Sequence, residues 1–157
     1  MTGKRELYRD LAVQFRSLID GEPDRIANAA NMAALIYHGL PDLNWAGFYF
    51  RQGVALVLGP FQGKPACVRI PLGKGVCGAA AARAATVLVP DVHQFPGHIA
   101  CDPVSRSELV VPLIEGGKVS GVFDLDSPLP GRFDRIDQAG CEQLVAVFVD
   151  HHRRHPR

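Results

Sequence analysis

No apolar run in this sequence approaches the roughly 20 residues that a membrane-crossing helix needs. No internal repeat, low-complexity stretch or linker-like tract divides it, so its 157 residues read as one domain, 1–157. Charge of one sign is lacking as well. The 17 Lys and Arg against 16 Asp and Glu leave +1, which gives no general pull toward nucleic acid or an anionic membrane. The first residues, Met1-Thr2-Gly3-Lys4-Arg5-Glu6-Leu7, are charged and carry no signal-peptide apolar stretch. The expectation is a cytoplasmic protein, in a compartment that keeps cysteines reduced. No Cys-x-x-Cys occurs either, which removes the usual ligand spacing of a structural zinc site.

What is present is an ordinary globular balance, 47% apolar and 21% charged. Leu7, Leu11, Phe15 and Leu18 recur three and four apart and predict a helix over Lys4 to Ile19. Pro23 suits the start of a second helix, in which Ile26, Ala29, Ala30, Ala33, Ala34 and Tyr37 run to a stop near Gly39. Short strands follow at Trp45–Arg51, Val54–Leu58 and Val68–Pro71, the first two joined at Gln52-Gly53, and the proline of the third marks a sheet edge or a strand end. A short helix from Val76 toward Ala85 and a strand over Thr86–Val89 come next. Asp91 to Ser105 shows no regular pattern, and long irregular loops of this kind carry function or move. Leu109–Ile114 and Val119–Leu125 form a hairpin about Glu115-Gly116-Gly117. A last helix runs from about Asp134 to Asp150, and the polar tail from His151 frays. The fold class is α+β: a mostly antiparallel sheet of about six strands, with helices gathered at the two chain ends.

Four cysteines carry the functional question. Cys141 lies beside the apolar face of the last helix and reads as a small buried hydrophobe. Cys77 follows Gly73-Lys74-Gly75 at a helix start, where the helix dipole and a lysine favour a thiolate. Cys101 sits in the irregular loop near His98 and Arg106, and Cys67 precedes a strand. Three unrelated free thiols, or a dispersed zinc site from Cys67, Cys101, His93 and His98, compete with a redox reading. Metal ranks second to redox.

Asp124 and Asp126 are two apart on a strand and so share a sheet face. Counting back from Gly116-Gly117 puts Glu108 at the same open end of that hairpin. Three carboxylates there form an acidic pocket for an ammonium group, or hold a proton where like charges raise a pKa. Solvated strand ends are the plain alternative for each taken singly. Trp45 and Tyr49 share a face by alternation and are candidates for a pocket wall, or for plain core.

Seven stretches together resemble the free methionine-R-sulfoxide reductases, a family of stand-alone GAF domains. They are Asn44-Trp45-Ala46-Gly47-Phe48-Tyr49, Gly59-Pro60-Phe61-Gln62-Gly63-Lys64-Pro65-Ala66-Cys67, and Ile70-Pro71-Leu72-Gly73-Lys74-Gly75-Val76-Cys77-Gly78. Val89-Pro90-Asp91-Val92-His93 and His98-Ile99-Ala100-Cys101-Asp102 follow, then Ser107-Glu108-Leu109-Val110-Val111-Pro112 and Gly121-Val122-Phe123-Asp124-Leu125-Asp126-Ser127-Pro128. The resemblance implies a single GAF domain with the helices from both chain ends packed on one face of the sheet. It implies reduction of free methionine-R-sulfoxide, with Cys101 as attacking thiol, Cys67 as its disulfide partner and Cys77 as a further participant. It also implies that Glu108, Asp124 and Asp126 bind substrate and that Trp45 and Tyr49 flank its methyl end. No cofactor or metal is implied; thioredoxin is the expected reductant and a homodimer is allowed. The competing reading is a GAF module that senses a small molecule without chemistry, which gives three cysteines at an acidic strand end no task.

Overall fold

The computed structural model describes residues 3–155; Met1 and Thr2 of the charged start, and Pro156 and Arg157 of the polar tail, lie outside the described residues. Helix α1 spans Lys4–Ile19 and α2 Arg25–Gly39. Asp24 caps α2 by accepting the Ala27 N–H, which satisfies one of the donors a helix start leaves open. Strands β1 (Trp45–Gln52), β2 (Ala55–Gly63) and β3 (Arg69–Pro71) precede α3 (Gly75–Arg83) and β4 (Val87–Val89). After a 3₁₀ turn at Val92–Gln94 come β5 (Ser107–Glu115), β6 (Lys118–Ser127) and α4 (Arg135–Arg154). The helix α4 begins with a reciprocal capping box between Asp134 and Asp137.

The six strands form one sheet in the order β3-β2-β1-β6-β5-β4, antiparallel at every pairing. Glu115 pairs with Lys118, so Gly116 and Gly117 turn the β5–β6 hairpin alone, with φ of 59° and 78°. Two consecutive positive φ values are what a tight hairpin turn requires and what L side chains resist.

Alternation divides the sheet into two unlike faces. Ala46, Phe48, Leu109, Phe123 and Leu125 point to one side, where α1, α2 and α4 cover them. There the Phe48 ring lies 4.9 Å from Phe123 and 5.0 Å from Phe148 of α4. Trp45, Tyr49, Val110 and Val122 point to the other side, which α3 and the loop after β4 cover. The helices of both chain ends therefore share one face, as the resemblance implied. At their junction Asp137 is fully buried and accepts from Tyr8 Oη at 2.7 Å and Lys4 Nζ at 2.9 Å, with Arg132 at 3.3 Å. A carboxylate buried this way is tolerable only because cations and a hydroxyl meet it.

Several sequence expectations shift. The buried stripe of α1 is Tyr8, Leu11, Ala12, Phe15 and Ile19, which leaves Leu18 exposed; Ile26 of α2 is exposed too, with Asn28 and Met32 facing inward. Strand β2 continues past Leu58 to Gly63, because Gly59 and Pro60 are absorbed where the register with β1 slips between Gly47 and Tyr49. The helix α4 runs on to Arg154, since buried His152 packs its ring 4.6 Å from Phe148 and meets Asn28 Nδ2 at 3.3 Å. Among the described residues no helix is long and apolar enough to cross a membrane.

Candidate active site

The site follows from strand register on the α3 side of the sheet. Glu108 of β5 lies opposite Asp126 of β6, and Val110 opposite Asp124. Asp126 in turn faces Trp45 of β1, and Asp124 faces Gly47. Paired residues point to the same side, so the three carboxyls, Trp45 and Tyr49 line one pocket. Glu108 and Asp124 are buried, and Asp126 is half-buried.

Three carboxyls in so little water cannot all ionise. Burial raises the pKa of each; the Asp124 charge raises Glu108 and Asp126 further, both well above the carboxylate range. Asp124 rises least, because Glu108 and Cys77 beside it favour its charged form. Of the three, Asp124 is the readiest to ionise, with Glu108 beside it holding its proton to higher pH. Such an arrangement can pair a cation and supply a proton within the same few ångströms.

Cys77 belongs to this floor. Its sulfur lies 3.9 Å from Glu108 Oε2. Burial first, then the neighbouring carboxylates, push its thiol well above its ordinary value. The sequence reading of a helix start that favours a thiolate is thus overturned: desolvation and negative neighbours outweigh the dipole of α3 and the nearby Lys74. Cys77 Sγ and one oxygen each of Glu108 and Asp124 lie within 4.8 Å of one another, the set among the described residues that could close on a metal ion.

The aromatic wall is also a brace. Trp45 and Tyr49 stack with centroids 5.9 Å apart, and Trp45 stacks on Phe61 at 5.3 Å. The indole N–H donates to the Lys64 carbonyl at 3.1 Å and the Tyr49 hydroxyl to the Cys67 carbonyl at 2.9 Å. Wall residues of the pocket thereby fix the segment that carries Cys67. Gly47, between them on the same face, has no room for a side chain: a Cβ there would stand 2.3 Å from Phe61 Cβ and 2.9 Å from the Trp45 ring.

Cys67 and Cys101 form a disulfide, with Cα atoms 5.6 Å apart across 34 residues of sequence. Cys101, His98 and Asp102 bring the irregular loop over the pocket. The dispersed zinc site is not formed, because two of its four donors are bonded to each other. Cys141 is a free, fully buried cysteine packed by Tyr8, its thiol pushed up to about 12 by burial, as a core residue would be. The sequence reading missed Gly47, whose bareness matters only across strands. It missed Lys64 too, which is exposed and lines the pocket with Lys74.

The GAF domain family model matches residues 11–151. The free methionine-R-sulfoxide reductase of Escherichia coli (strain K12) is 53% identical over 143 residues, covering 91% of this chain and 87% of that protein. The chain belongs to the GAF-domain free methionine-R-sulfoxide reductases. These are oxidoreductases. Among solved structures, the family's enzyme from Neisseria meningitidis in complex with its substrate superposes with a TM-score of 0.94 at 41% identity, covering 99% of this chain and 93% of that one. A candidate GAF sensor protein from Burkholderia vietnamiensis gives 0.95 at 61% identity, covering 98% of each chain.

Proposed function

We propose that this chain reduces free methionine-R-sulfoxide to methionine, with Cys101 as the attacking thiol. One observation carries the reading: Cys101, paired with Cys67, lines a pocket that also gathers Glu108, Asp124 and Asp126, with Glu108 holding its proton to higher pH than Asp124. Sulfoxide reduction needs those parts, a nucleophile for sulfur and a proton for the departing oxygen. Cys101 reacts as the thiolate, its proton lost to solvent; its sulfur takes the oxygen as the substrate's S–O bond breaks, and Glu108 protonates the transferred oxygen and is reprotonated from solvent. Methionine departs and Cys101 is left as a sulfenic acid, oxidised by two electrons. The Cys67 thiol then displaces hydroxide, which leaves as water, and the disulfide forms. A dithiol such as thioredoxin reduces it by two successive exchanges, becoming a disulfide itself. The sum is sulfoxide, two electrons and two protons to methionine and water.

The pocket suits a free amino acid. Asp124 and Asp126 meet the ammonium group, the Trp45–Tyr49 wall meets the methyl end, and Lys64 and Lys74 stand at the rim for the carboxylate. A blocked peptide nitrogen would leave a buried carboxylate without its partner, a costly mismatch. The Cys101 N–H is already taken by the Ile99 carbonyl at 3.1 Å, so side chains at the rim are the better carboxylate partners. Cys77 serves as a proton-holding thiol in the floor. The expected homodimer is a matter for sedimentation of the reduced and oxidised protein.

The deciding assay couples the purified protein to a thioredoxin system. Separated R and S epimers of free methionine sulfoxide are compared with an N-acetylated, amide-blocked analogue. Turnover of the free R epimer alone is expected. Equal turnover of the blocked analogue would overturn the ammonium-binding role, and no turnover of either epimer with accessible thiols would leave the sensing module as the better reading.

A further inference from the structure

We infer that Asn44, which no part of the proposed chemistry uses, is the positioning residue for the Cys101 loop. It stands immediately before β1, and its backbone N–H donates to the Asp126 carbonyl at 3.0 Å, which fixes it to the site end of β6. Its side-chain amide donates twice into the loop, to Asp102 Oδ2 at 3.1 Å and to Ser105 Oγ at 2.9 Å. A carboxylate only accepts, so the Asp102 contact settles which amide atom points at the loop. Asp102 and Ser105 are the two ends of one turn: Asp102 Oδ1 accepts the Val104 N–H at 3.0 Å, and the Asp102 carbonyl accepts the Ser105 N–H at 3.2 Å. Asn44 thus holds both ends of the turn that directly follows Cys101.

The consequence is geometric. In the oxidised form Cys101 is held by Cys67. Once the disulfide is reduced that anchor is gone, and 34 residues separate the two sulfurs along the chain. Asp102 is the next residue, about 3.8 Å away between Cα atoms. While Asn44 holds Asp102, Cys101 cannot leave the pocket mouth. The clamp keeps its sulfur within reach of both substrate and Cys67, an effective concentration that a free loop would lack. The inference rests on the reading of Cys101 and Cys67 as the working pair.

The test follows the clamp with two singles and a double: Asn44→Ala, Asn44→Asp, and Asn44→Asp combined with Asp102→Asn. Asn44→Asp sets two carboxylates against each other, whereas the double exchange restores a carboxylate–amide bond with its direction reversed. Two readouts are taken. One is the equilibrium between the reduced pair plus oxidised glutathione and the enzyme disulfide plus two reduced glutathiones. The other is the rate of disulfide closure after a single turnover with free methionine-R-sulfoxide. Asn44→Ala is expected to lower both about tenfold and Asn44→Asp about ten- to a hundredfold, with KM changed less than about threefold. The double variant recovers most of the loss. Wild-type closure in both singles would overturn the inference, and so would a double variant no better than Asn44→Asp, since that is the pattern of general damage. A Cys101→Ser enzyme that still releases methionine at the wild-type single-turnover rate would overturn the proposed function instead. The glutathione equilibrium reads the Asn44 clamp whichever thiol attacks.

Discussion

The two faces of the central sheet are built by the same strands to opposite ends. On β6, Phe123 and Leu125 enter a dry core under three helices, while their neighbours Asp124 and Asp126 enter the pocket. On β1, Phe48 takes the core side and Trp45 and Tyr49 the pocket side. One face removes apolar surface from water and gains stability by it. The other keeps carboxyls and a thiol away from water, which disfavours their charged forms and makes them chemically useful. Stability and chemistry thus lean to opposite faces a single residue step apart along the chain, and most changes should register mainly on one side of that division.

Cys101→Ser should be the strongest break on the pocket side, lowering turnover by about a thousandfold or more while the reduced protein keeps its thermal midpoint. Stopped-flow trapping of the sulfenic acid together with a melting curve checks both halves. Phe123→Ala should do the reverse. Loss of a buried ring that packs on Phe48 lowers stability by about 3–5 kcal/mol, read by denaturant titration, with KM of the folded fraction unchanged.

Glu108→Gln sharpens the comparison because its two effects have opposite signs. Removing the proposed proton donor should lower kcat about a hundredfold. The native carboxyl holds its proton above its ordinary 4.5, whereas the unfolded chain releases it there. The folded state then binds more protons, so wild-type stability falls as pH rises above that value. Glu108→Gln lacks this loss and gains on the wild type as pH rises, which melting curves across that range would show. Asp126→Asn, at the half-buried end of the cluster, should act mainly on binding, raising KM about tenfold for the free amino acid. An unchanged KM would remove Asp126 from the ammonium site.

Much of this division was readable in the residues. The spacing of Asp124 and Asp126 put both on one face, and the count back from Gly116-Gly117 put Glu108 beside them; the paired register Glu108–Asp126 agrees. Periodicity found the helices and missed the rotation of the α1 stripe onto Tyr8 and Ile19, because a helix alone cannot say which of two adjacent faces its partners will take. Gly59-Pro60 hid the second half of β2, where the irregular register with β1 accommodates residues that sequence rules read as a break. The setting of Cys77 was misjudged for a related reason. A helix start and a lysine are local, but the burial that raises its thiol, and the carboxylates from β5 and β6 that raise it further, come from distant elements.

By itself, then, the sequence determined the alternation of each strand, the tight glycine turn and the types of group available for chemistry, because these depend on neighbours a few residues away. The tertiary structure brought together, across 34 residues, the Cys67–Cys101 pair that the resemblance implied, and it alone decided that Gly47 leaves Trp45 and Phe61 their space and that Asn44 reaches the turn after Cys101. Each of those depends on elements distant in the chain being packed to within a few ångströms, and short range in space is what bond formation, steric fit and proton sharing require.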